Sequence, residues 1–307
     1  MGRYLLRRLG QGLIVIFGVV TVVFIVTRLI GDPAKIMLPL TSTAAQRTAF
    51  DHQLGLDKPL FVQYVEYWNG IVHGNFGESF VRRQPALHVA LTYLPATLKL
   101  VFIGMAFAAL LAVVAGVLAA LRPGHLMDRA VTFASLIGLS MPQFWLGLLL
   151  IIVFGVKFGW FPVSGQQGAT AIVLPALALG LPSAGRIAMI VRSSMIDELN
   201  KQYVRTAEAK GLSEWRTISV HTLRNAITPA VSLLGWEIVR ALAGFDVVVE
   251  VVFGWTGIGH LAYDSIKGQD FTQLQAIVLV VAVLVVVINI TVDIVYRLID
   301  PRVQVGG

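Results

Sequence analysis

Two acidic residues within long apolar stretches, Asp246 and Asp293, are the first residues of this sequence whose types could do chemistry. Two carboxylates that share one proton form the catalytic dyad of aspartyl proteases, provided that they lie within a few ångströms of each other. An intramembrane protease of this class is expected to carry a G-x-G-D motif at the second acid. The residues before Asp293 are N-I-T-V instead, so this activity is kept as a remote alternative.

Four other polar residues interrupt the apolar stretches: Arg186, Glu237, Arg240 and Asn289. Glu237 and Arg240 are three residues apart and can pair on one helical face, as can Asn289 and Asp293, which are four apart. Charges at membrane depth are costly and usually face a bundle interior or a water-filled cavity. Two roles stay open for these four residues and the two acids: structural pairing, and lining of a translocation path.

Motifs for metal, thiol or nucleotide chemistry are missing from the sequence. It has no cysteine, and its six histidines are not spaced as a metal pair such as H-E-x-x-H. The run G-W-T-G-I-G at 254–259 has the wrong glycine order for G-x-G-x-x-G and fits a tight turn before the last apolar stretch. The P-loop G-x-x-x-x-G-K-[ST] is absent as well. We therefore expect no metal site, no bound cofactor and no ATP-hydrolysing machinery in this chain.

The composition is typical of a membrane protein. Of the 307 residues, 56% are hydrophobic and 13% are charged, and the mean hydropathy is +0.78, whereas soluble domains are about one quarter charged. The net charge of +7 does not indicate nucleic-acid binding, because the basic residues cluster at the ends of apolar runs rather than in one patch.

Six apolar stretches are long enough to cross a hydrocarbon core of roughly 30 Å, which needs about 20 helical residues. They are residues 9–30, 95–121, 130–156, 171–192, 226–248 and 275–297. Pro142, Pro175 and Pro182 interrupt them, which membrane helices tolerate where neighbouring helices satisfy the freed backbone groups. We therefore expect an all-α integral membrane protein with six transmembrane helices.

The Lys and Arg residues between these stretches predict the orientation of the chain. Thirteen would lie on the side of the two termini, while the short loops opposite carry Lys157 and Lys267. The thirteen are Arg3, Arg7, Arg8, Arg122, Arg129, Arg192, Lys201, Arg205, Lys210, Arg216, Arg224, Arg297 and Arg302. Both termini are therefore expected in the cytoplasm, with the protein in the inner membrane. Arg28 and Lys99, near the other ends of their stretches, are expected to reach the membrane surface.

The long loop 31–94 is predicted to be structured. Thr43–Leu54 is predicted to be a helix that ends at Gly55, and a second helix begins near Pro59, early in its first turn. This second helix brings four aromatic residues close together. They are Phe61, Tyr64, Tyr67 and Trp68. Aromatic residues favour the membrane–water boundary, so the helix either lies on the outer surface of the membrane or packs within the loop.

The segment of about 197–224, on the basic side, is predicted to form two short helices around a glycine bend. Helix formers dominate up to Gly211, which suits a helix end that needs a positive φ. Ser213 then begins a second helix in which Trp215 and Ile218 share a face. Mixed charge with a few apolar anchors suits the docking of a soluble partner. The alternative that composition leaves open is an ordinary solvated loop between spans.

Residues 203–211, Y-V-R-T-A-E-A-K-G, resemble the coupling loop in permease subunits of dipeptide and oligopeptide ABC importers, which are type I importers. The general pattern begins Glu-Ala-Ala, with glycine four residues beyond the second alanine. This chain matches it at Ala207 and Gly211 but has Arg205 and Thr206 in place of the Glu and the first Ala, a departure that is usual in the peptide branch. The resemblance assigns coupling to an ATPase to the following residues: Tyr203, Arg205, Thr206, Ala207, Glu208, Lys210, Gly211, Leu212 and Trp215.

The resemblance covers nearly the whole chain through short motifs in the same order and spacing. The motifs are G-D-P at 31–33, L-G-L-D-K-P at 54–59, L-R-N-A at 223–226, V-V-E-V-V-F at 248–253 and D-P-R at 300–302. The long outer loop resembles that of the first of two permeases in such systems. It implies one region of residues 1–94, comprising the first span and the loop, and a five-helix transmembrane core of residues 95–304 that carries the coupling loop.

The resemblance also implies the partners and the mechanism. A second homologous permease, two ABC ATPase subunits that carry ATP and magnesium, and an extracytoplasmic substrate-binding protein are expected, beside membrane lipid and without nucleic acid. Transport would proceed by alternating access. Thr256 stands where the family usually has proline, and Asp246 where a small uncharged residue is common, and both put the substrate in doubt. Peptides are the expected substrate, with nickel or glutathione as alternatives.

An ion-coupled secondary transporter that works alone is the third class of function considered. Such a transporter would need an ion gradient and no ATPase subunit. This function would leave no role for the basic segment 192–224, whose predicted helices suit the docking of a partner. A secondary transporter is therefore a second remote alternative.

Overall fold

The chain is predominantly helical in the part that the computed structural model describes, which comprises residues 2–30, 38, 41–53 and 55–299. The helices are α1 (Gly2–Ile30), α2 (Ala44–Gln53), α3 (Leu60–Val72), α4 (Ala86–Leu121), α5 (Leu126–Ser140), α6 (Gln143–Leu150), α7 (Val173–Leu199), α8 (Gln202–Ala209), α9 (Glu214–Arg216), α10 (Leu223–Ala226), α11 (Thr228–Arg240), α12 (Val247–Val252), α13 (Ile258–Lys267) and α14 (Phe271–Ile299). Three π-helical turns extend them, at Ile151–Lys157, Thr217–Thr222 and Ala241–Phe245, and a 3₁₀ turn, Ala169–Ile172, precedes α7. These residues contain no β-strand, only an isolated bridge between Glu78 and Pro85.

Four of the helices are long and apolar enough to cross a membrane, and the number rises to six if each of two bent pairs counts as one span. Residues 130–156, predicted as one span, bend by 108° between α5 and α6. Pro142 has no N–H to donate, and the residue before a proline is disfavoured in the α region, so Met141 is extended, with φ −82° and ψ 128°. Pro175 and Pro182, by contrast, lie within α7, as expected of tolerated prolines.

The second bent pair covers the predicted fifth span, residues 226–248. The helical path begins earlier, at Glu214, and bends by 52° between Ala226 and Thr228. It ends at Gly244, whose φ of +116° lies in the region that glycine adopts without a steric penalty. The short helix α12 follows as a separate element.

The chain divides into two compact units, residues 1–97 with 256–286, and residues 98–255 with 287–307. In the first unit Asp270, which is 2% exposed, is the N-cap of α14, because its Oδ1 accepts the backbone N–H of Gln273 at 3.1 Å. Its Oδ2 accepts the Ser79 hydroxyl at 2.5 Å and the Val81 N–H at 3.1 Å. One buried carboxylate thus fixes the loop that precedes α4 to the start of α14.

The predicted helices of the long loop are present. α2 begins after Thr43, whose backbone N–H donates to the Gln46 side chain at 2.9 Å, and Gly55 has the positive φ, +66°, that ends the segment; Leu54 lies outside the described residues. Pro59 lies one position before α3 rather than inside its first turn.

The aromatic residues of α3 pack mainly against α1. Trp68 stacks on Phe17 with ring centroids 5.1 Å apart, and Tyr64 and Tyr67 each lie 5.3 Å from Phe24. The fourth predicted member, Phe61, is 75% exposed. Three of the four aromatic residues therefore pack against the first apolar helix rather than within the loop, and the predicted position on the outer surface of the membrane stays a prediction.

In the second unit the helices α5, α6 and α11 pack around α7. Within α7 67% of the most apolar window is buried, against 17% for α1. α7 also packs closely against α4, and this contact requires glycine at position 116 of α4. A Cβ there would lie 2.7 Å from Val191 Cβ and 2.8 Å from the Ala188 carbonyl oxygen of α7. Helices that approach this closely in a membrane need small residues at the contact.

The variant Gly116→Ala is expected to lower the midpoint of thermal unfolding in detergent, because overpacking of a tight contact costs about 1–3 kcal/mol. Gly18→Ala is the matched control, since it too lies in a long helix but a Cβ there meets nothing within 4 Å. The control should match or slightly exceed the wild type. Equal midpoints for the two variants would contradict the close contact between α4 and α7.

Candidate functional site

The bend at Gly211 is built as the sequence predicts. The Gly211 N–H donates to the Glu208 carbonyl at 2.9 Å, and the Leu212 N–H donates to the Ala207 carbonyl at 3.2 Å. This pair of bonds is the Schellman motif, in which the first residue after the helix cap adopts the left-handed conformation. That residue is Gly211, which has a φ of +78°. Gly211 therefore forms the bend between α8 and α9.

The inner face of α8 anchors this segment to the second unit. Val204 and Ala207 are 2% and 7% exposed, and α8 packs against the π-helical turn Thr217–Thr222. Ile218 of that turn belongs to a buried apolar cluster with Met195 of α7 and Ala226 of α10. The segment is therefore fastened to the membrane-spanning helices rather than loosely solvated.

Tyr203 ties the end of α7 to α10. Its hydroxyl donates to Glu198 Oε2 at 2.6 Å and accepts from Asn225 Nδ2 at 3.2 Å, while Lys201 pairs with the other Glu198 oxygen at 2.5 Å. Burial, and then the bond to Glu198, raise the pKa of Tyr203, so the hydroxyl keeps its proton and remains a donor. Of the predicted coupling residues, Tyr203 therefore holds the loop internally.

The outward side of the loop carries mixed charge and one large aromatic residue. Its exposed members are Arg205, Thr206, Glu208, Lys210 and Trp215, with Leu212 half-buried beside them. Trp215 is 77% exposed and Ile218 is 7% exposed, so the prediction that the two share a face is wrong. A π turn begins at Thr217, and its wider i→i+5 pattern removes the i, i+3 alignment of an α-helix.

A charge cluster is buried between α7 and α11. Glu237 is 0% exposed and pairs with Arg186 through both of its oxygens, with Arg186 Nη2 at 2.8 Å from Oε2. The Ser183 hydroxyl donates to Oε2 at 2.9 Å, and Arg240 Nη2 reaches the same atom at 2.8 Å. The predicted pairing of Glu237 with Arg240 is confirmed. Arg186 joins them, which sequence spacing could not show because it lies on another helix.

A second ion pair between elements was missed by the sequence analysis. Asp128, 4% exposed, receives two hydrogen bonds from the Arg192 guanidinium, one of them at 2.7 Å, and a third from the Gly124 N–H at 2.7 Å. This bidentate pair fixes the 122–129 turn to the last third of α7. The sequence analysis counted Arg192 only among the thirteen basic residues that predict the orientation, and no local signal links it to Asp128.

The remaining predicted polar residues are Asp246, which precedes α12, and Asn289 and Asp293, which lie on α14. Asp246 is 1% exposed, and the acid that faces it is Glu250, 0% exposed and one helical turn further along. Asp246 Oδ2 has no hydrogen-bond partner among the described residues. Asn289 is exposed, and Asp293 is partly buried on α14. Within the described part of the chain no group of three or more His, Asp or Glu residues could hold a metal ion.

Comparison with known families decides the class of protein. Residues 112–305 match the family of binding-protein-dependent transport system inner membrane components, and residues 1–101 match the N-terminal model of such membrane components. The chain belongs to this family. With several apolar helices, this permease is a multi-pass inner-membrane protein of an ABC importer.

Curated relatives match the permease over almost its whole length. It is 40% identical to the di/tripeptide transport system permease protein DppB of Pseudomonas aeruginosa, with 98% of each chain covered. It is 36% identical to the oligopeptide transport system permease protein AppB of Bacillus subtilis, with 99% of this chain and 100% of that protein covered. It is 37% identical to the glutathione transport system permease protein GsiC of Escherichia coli K12, with 99% of each covered.

Solved structures agree on the fold. A chain of the MetNI methionine ABC transporter in an inward-facing conformation superposes with a TM-score of 0.58 at 20% identity, covering 69% of the permease and 96% of that chain. A chain of an amino acid ABC transporter solved with histidines gives a TM-score of 0.53 at 18% identity, covering 68% and 93%. At such identities the likeness concerns the fold alone, and it is the fold of ABC importer permeases.

The buried cluster yields a stability prediction for the permease. Glu237→Gln removes the negative charge between Arg186 and Arg240, and breaking a buried ion pair costs about 3–5 kcal/mol. We expect a marked fall in the midpoint of thermal aggregation in detergent. Glu66→Gln is the control, because Glu66 pairs with Lys58 on the surface, where the side chains are 53% and 44% exposed and such a pair contributes about 0–1 kcal/mol. A Glu237→Gln variant as stable as the control would exclude a structural role for the cluster.

Proposed function

We propose that this permease, together with a second homologous permease, forms the path by which di- or oligopeptides enter the cell. Two separate ABC ATPase subunits would bind ATP and magnesium and drive the path between outward-open and inward-open states, and an extracytoplasmic binding protein would deliver the peptide. The observation that carries the role in coupling is the loop of α8 and α9, with an anchored inner face and a charged outer face. Peptide specificity is supported by the full-length similarity to peptide permeases at 36–40% identity.

We further propose six spans with both termini in the cytoplasm. The bent pairs α5–α6 and the path from Glu214 to Gly244 would each count as one span, and this arrangement places the α8–α9 loop on the cytoplasmic side with the ATPases. The division into residues 1–94 and a transmembrane core of 95–304 belongs to the same proposal. The excess of Lys and Arg on that side supports it.

The coupling residues fall into two groups under this proposal. Tyr203, Ala207, Gly211 and Leu212 shape the loop, since they are bonded, buried or at the bend. Arg205, Thr206, Glu208, Lys210 and Trp215 would meet the ATPase, because their side chains are exposed. Tryptophan and arginine, both present in this group, are typical of the residues that contribute most to protein interfaces.

For the intramembrane polar residues we propose a structural role for Arg186, Glu237 and Arg240. The carboxylate receives five hydrogen bonds from three side chains on two helices, which is the arrangement that a buried charge needs in order to be tolerated. Asp246, with a buried and unpartnered oxygen, is the better candidate for contact with the translocation path. Glutathione is kept as the second candidate substrate, because a glutathione permease is 37% identical over 99% of this chain and glutathione is itself a small peptide.

Uptake by the complete transporter in proteoliposomes tests the function. We expect ATP-dependent, saturable accumulation of labelled di- or tripeptide that depends on the binding protein, with glutathione and Ni²⁺ offered separately for comparison. ATP-independent uptake by the permease alone under an ion gradient would instead identify a secondary transporter. Accumulation of Ni²⁺ without peptide would overturn the substrate class.

The bend at Gly211 generates a prediction about coupling. A side chain at Gly211 meets nothing within 4 Å, so Gly211→Val acts through φ alone, and the left-handed conformation costs a residue with a Cβ about 1–2 kcal/mol. We expect peptide uptake to fall several-fold, with ATP hydrolysis no longer stimulated by the loaded binding protein. Gly211→Asn is the matched control, because asparagine tolerates this conformation, and it should retain coupling. If Gly211→Val transports like the wild type, this loop does not couple the ATPase to transport.

A further inference from the structure

An apolar groove runs along one face of α1 beside α3, within the first unit. Its volume is about 370 Å³, and it is formed by Phe17, Thr21, Phe24, Ile25, Arg28 and Leu29 of α1 with Leu60, Phe61 and Tyr64 of α3. The α1 positions follow the spacing of a single helical face. Several of these side chains are open to the surroundings, among them Leu29 at 76% and Phe61 at 75% exposed.

A polar cavity of about 550 Å³ adjoins the groove at Arg28, which lines both. Its other walls include Glu78 and Arg83 from the loop before α4, and Gln275 from α14. Gln275 donates to the Thr27 hydroxyl at 2.6 Å, which fixes the cavity wall against α1. The apolar groove thus ends at Arg28, and the polar cavity beyond it contains the acidic Glu78 and the basic Arg83.

The Arg28 guanidinium has no anionic partner within the described part of the chain. Its Nε is buried without a hydrogen-bond acceptor, and its central carbon lies 5.4 Å from the centre of the Phe24 ring. The titratable group that interacts electrostatically with Arg28 is Tyr67. Burial raises the pKa of Tyr67 to about 12, so this phenol is neutral. A buried donor left unsatisfied is costly, and none of the described residues supplies an acceptor for this one.

The length of the groove matches one leaflet of a membrane. Phe17 and Arg28 are eleven positions apart, which corresponds to about 16 Å along a helix. This distance is close to half of a hydrocarbon core of roughly 30 Å. Arg28 also lies at the end of the apolar part of α1, Leu6–Leu29, which is the depth at which a basic side chain reaches the headgroup region of a bilayer.

We propose that the groove and cavity bind a phospholipid of the leaflet on the side of the long loop. An acyl chain lies along α1 from Arg28 to Phe17, the phosphate accepts hydrogen bonds from Arg28, and the rest of the headgroup enters the polar cavity. The ligand is thereby defined as an amphiphilic phosphate with a chain of leaflet length. The inference depends on the inner-membrane location and not on the substrate that the transporter carries.

Native mass spectrometry of the complete transporter, released from detergent after incubation with defined lipids, tests this site. Phosphatidylglycerol should remain bound, whereas diacylglycerol, which lacks the phosphate, should be retained at least about tenfold less, as expected when charged hydrogen bonds are lost. Arg28→Gln should reduce retention of phosphatidylglycerol by a similar factor. Arg47→Gln is the matched control, because Arg47 is an exposed arginine of the same unit that lines neither the groove nor the cavity, and it should retain the lipid.

A second variant separates loss of the site from loss of folding. Ile25→Trp fills the groove from a half-exposed position and keeps Arg28, so it too should lose the lipid while the assembled complex stays intact. Retention unchanged in both variants would overturn the proposal. Displacement of the lipid by excess inorganic phosphate alone would show that the apolar groove contributes nothing to binding. Displacement by a dipeptide would assign the site to the transported substrate. Either result would overturn the lipid assignment.

Discussion

The pairing of one fully buried carboxylate with two guanidinium groups is the interaction on which the second unit depends. Glu237 of α11 can remain charged among apolar helices because Arg186 and Ser183 of α7, and Arg240 of its own helix, satisfy both of its oxygens. Replacement of a charged member of the cluster on one helix by a neutral residue would leave a buried, uncompensated charge on the other helix. The cluster therefore fixes the distance and the relative rotation of α7 and α11. The positions of the elements that connect these two helices depend on that arrangement.

The proposed coupling loop connects the same two helices. Near the loop, Glu198 at the end of α7 is joined through Tyr203 to Asn225 of α10, and between this link and Glu237 lies the apolar cluster that includes Met195 and Ala226. Three levels of contact thus bind α7 to the path that leads into α11. A force applied to the loop by an ATPase would move these helices as a body rather than deform the loop, which is the property that coupling requires.

Features set by neighbouring residues were predictable from the sequence, whereas features set by contacts between helices were not. The bend at Gly211 depends on a glycine at a helix end, and the pair Glu237–Arg240 depends on spacing within one helix; both were predicted. Arg186 and the Asp128–Arg192 pair depend on which helices become neighbours, and spacing carries no such information. The shared face of Trp215 and Ile218 was wrong because π-helical turns have no clear sequence signal. The bend at Pro142 was underestimated because a proline in a membrane helix either continues or breaks it according to its neighbours.

The departures from the general coupling motif fall where the geometry permits change. Ala207 and Gly211 match the pattern, and the structure gives both a role in shaping the loop: Ala207 is 7% exposed against the membrane-spanning body, and Gly211 has the positive φ of the Schellman bend. Arg205 and Thr206 differ from the pattern, and both point outward. A change at an exposed position alters which surface the loop can contact but leaves its path unaltered. If the loop meets an ATPase, as proposed, these exposed positions are the ones at which it could adapt to a particular partner without a change in its path.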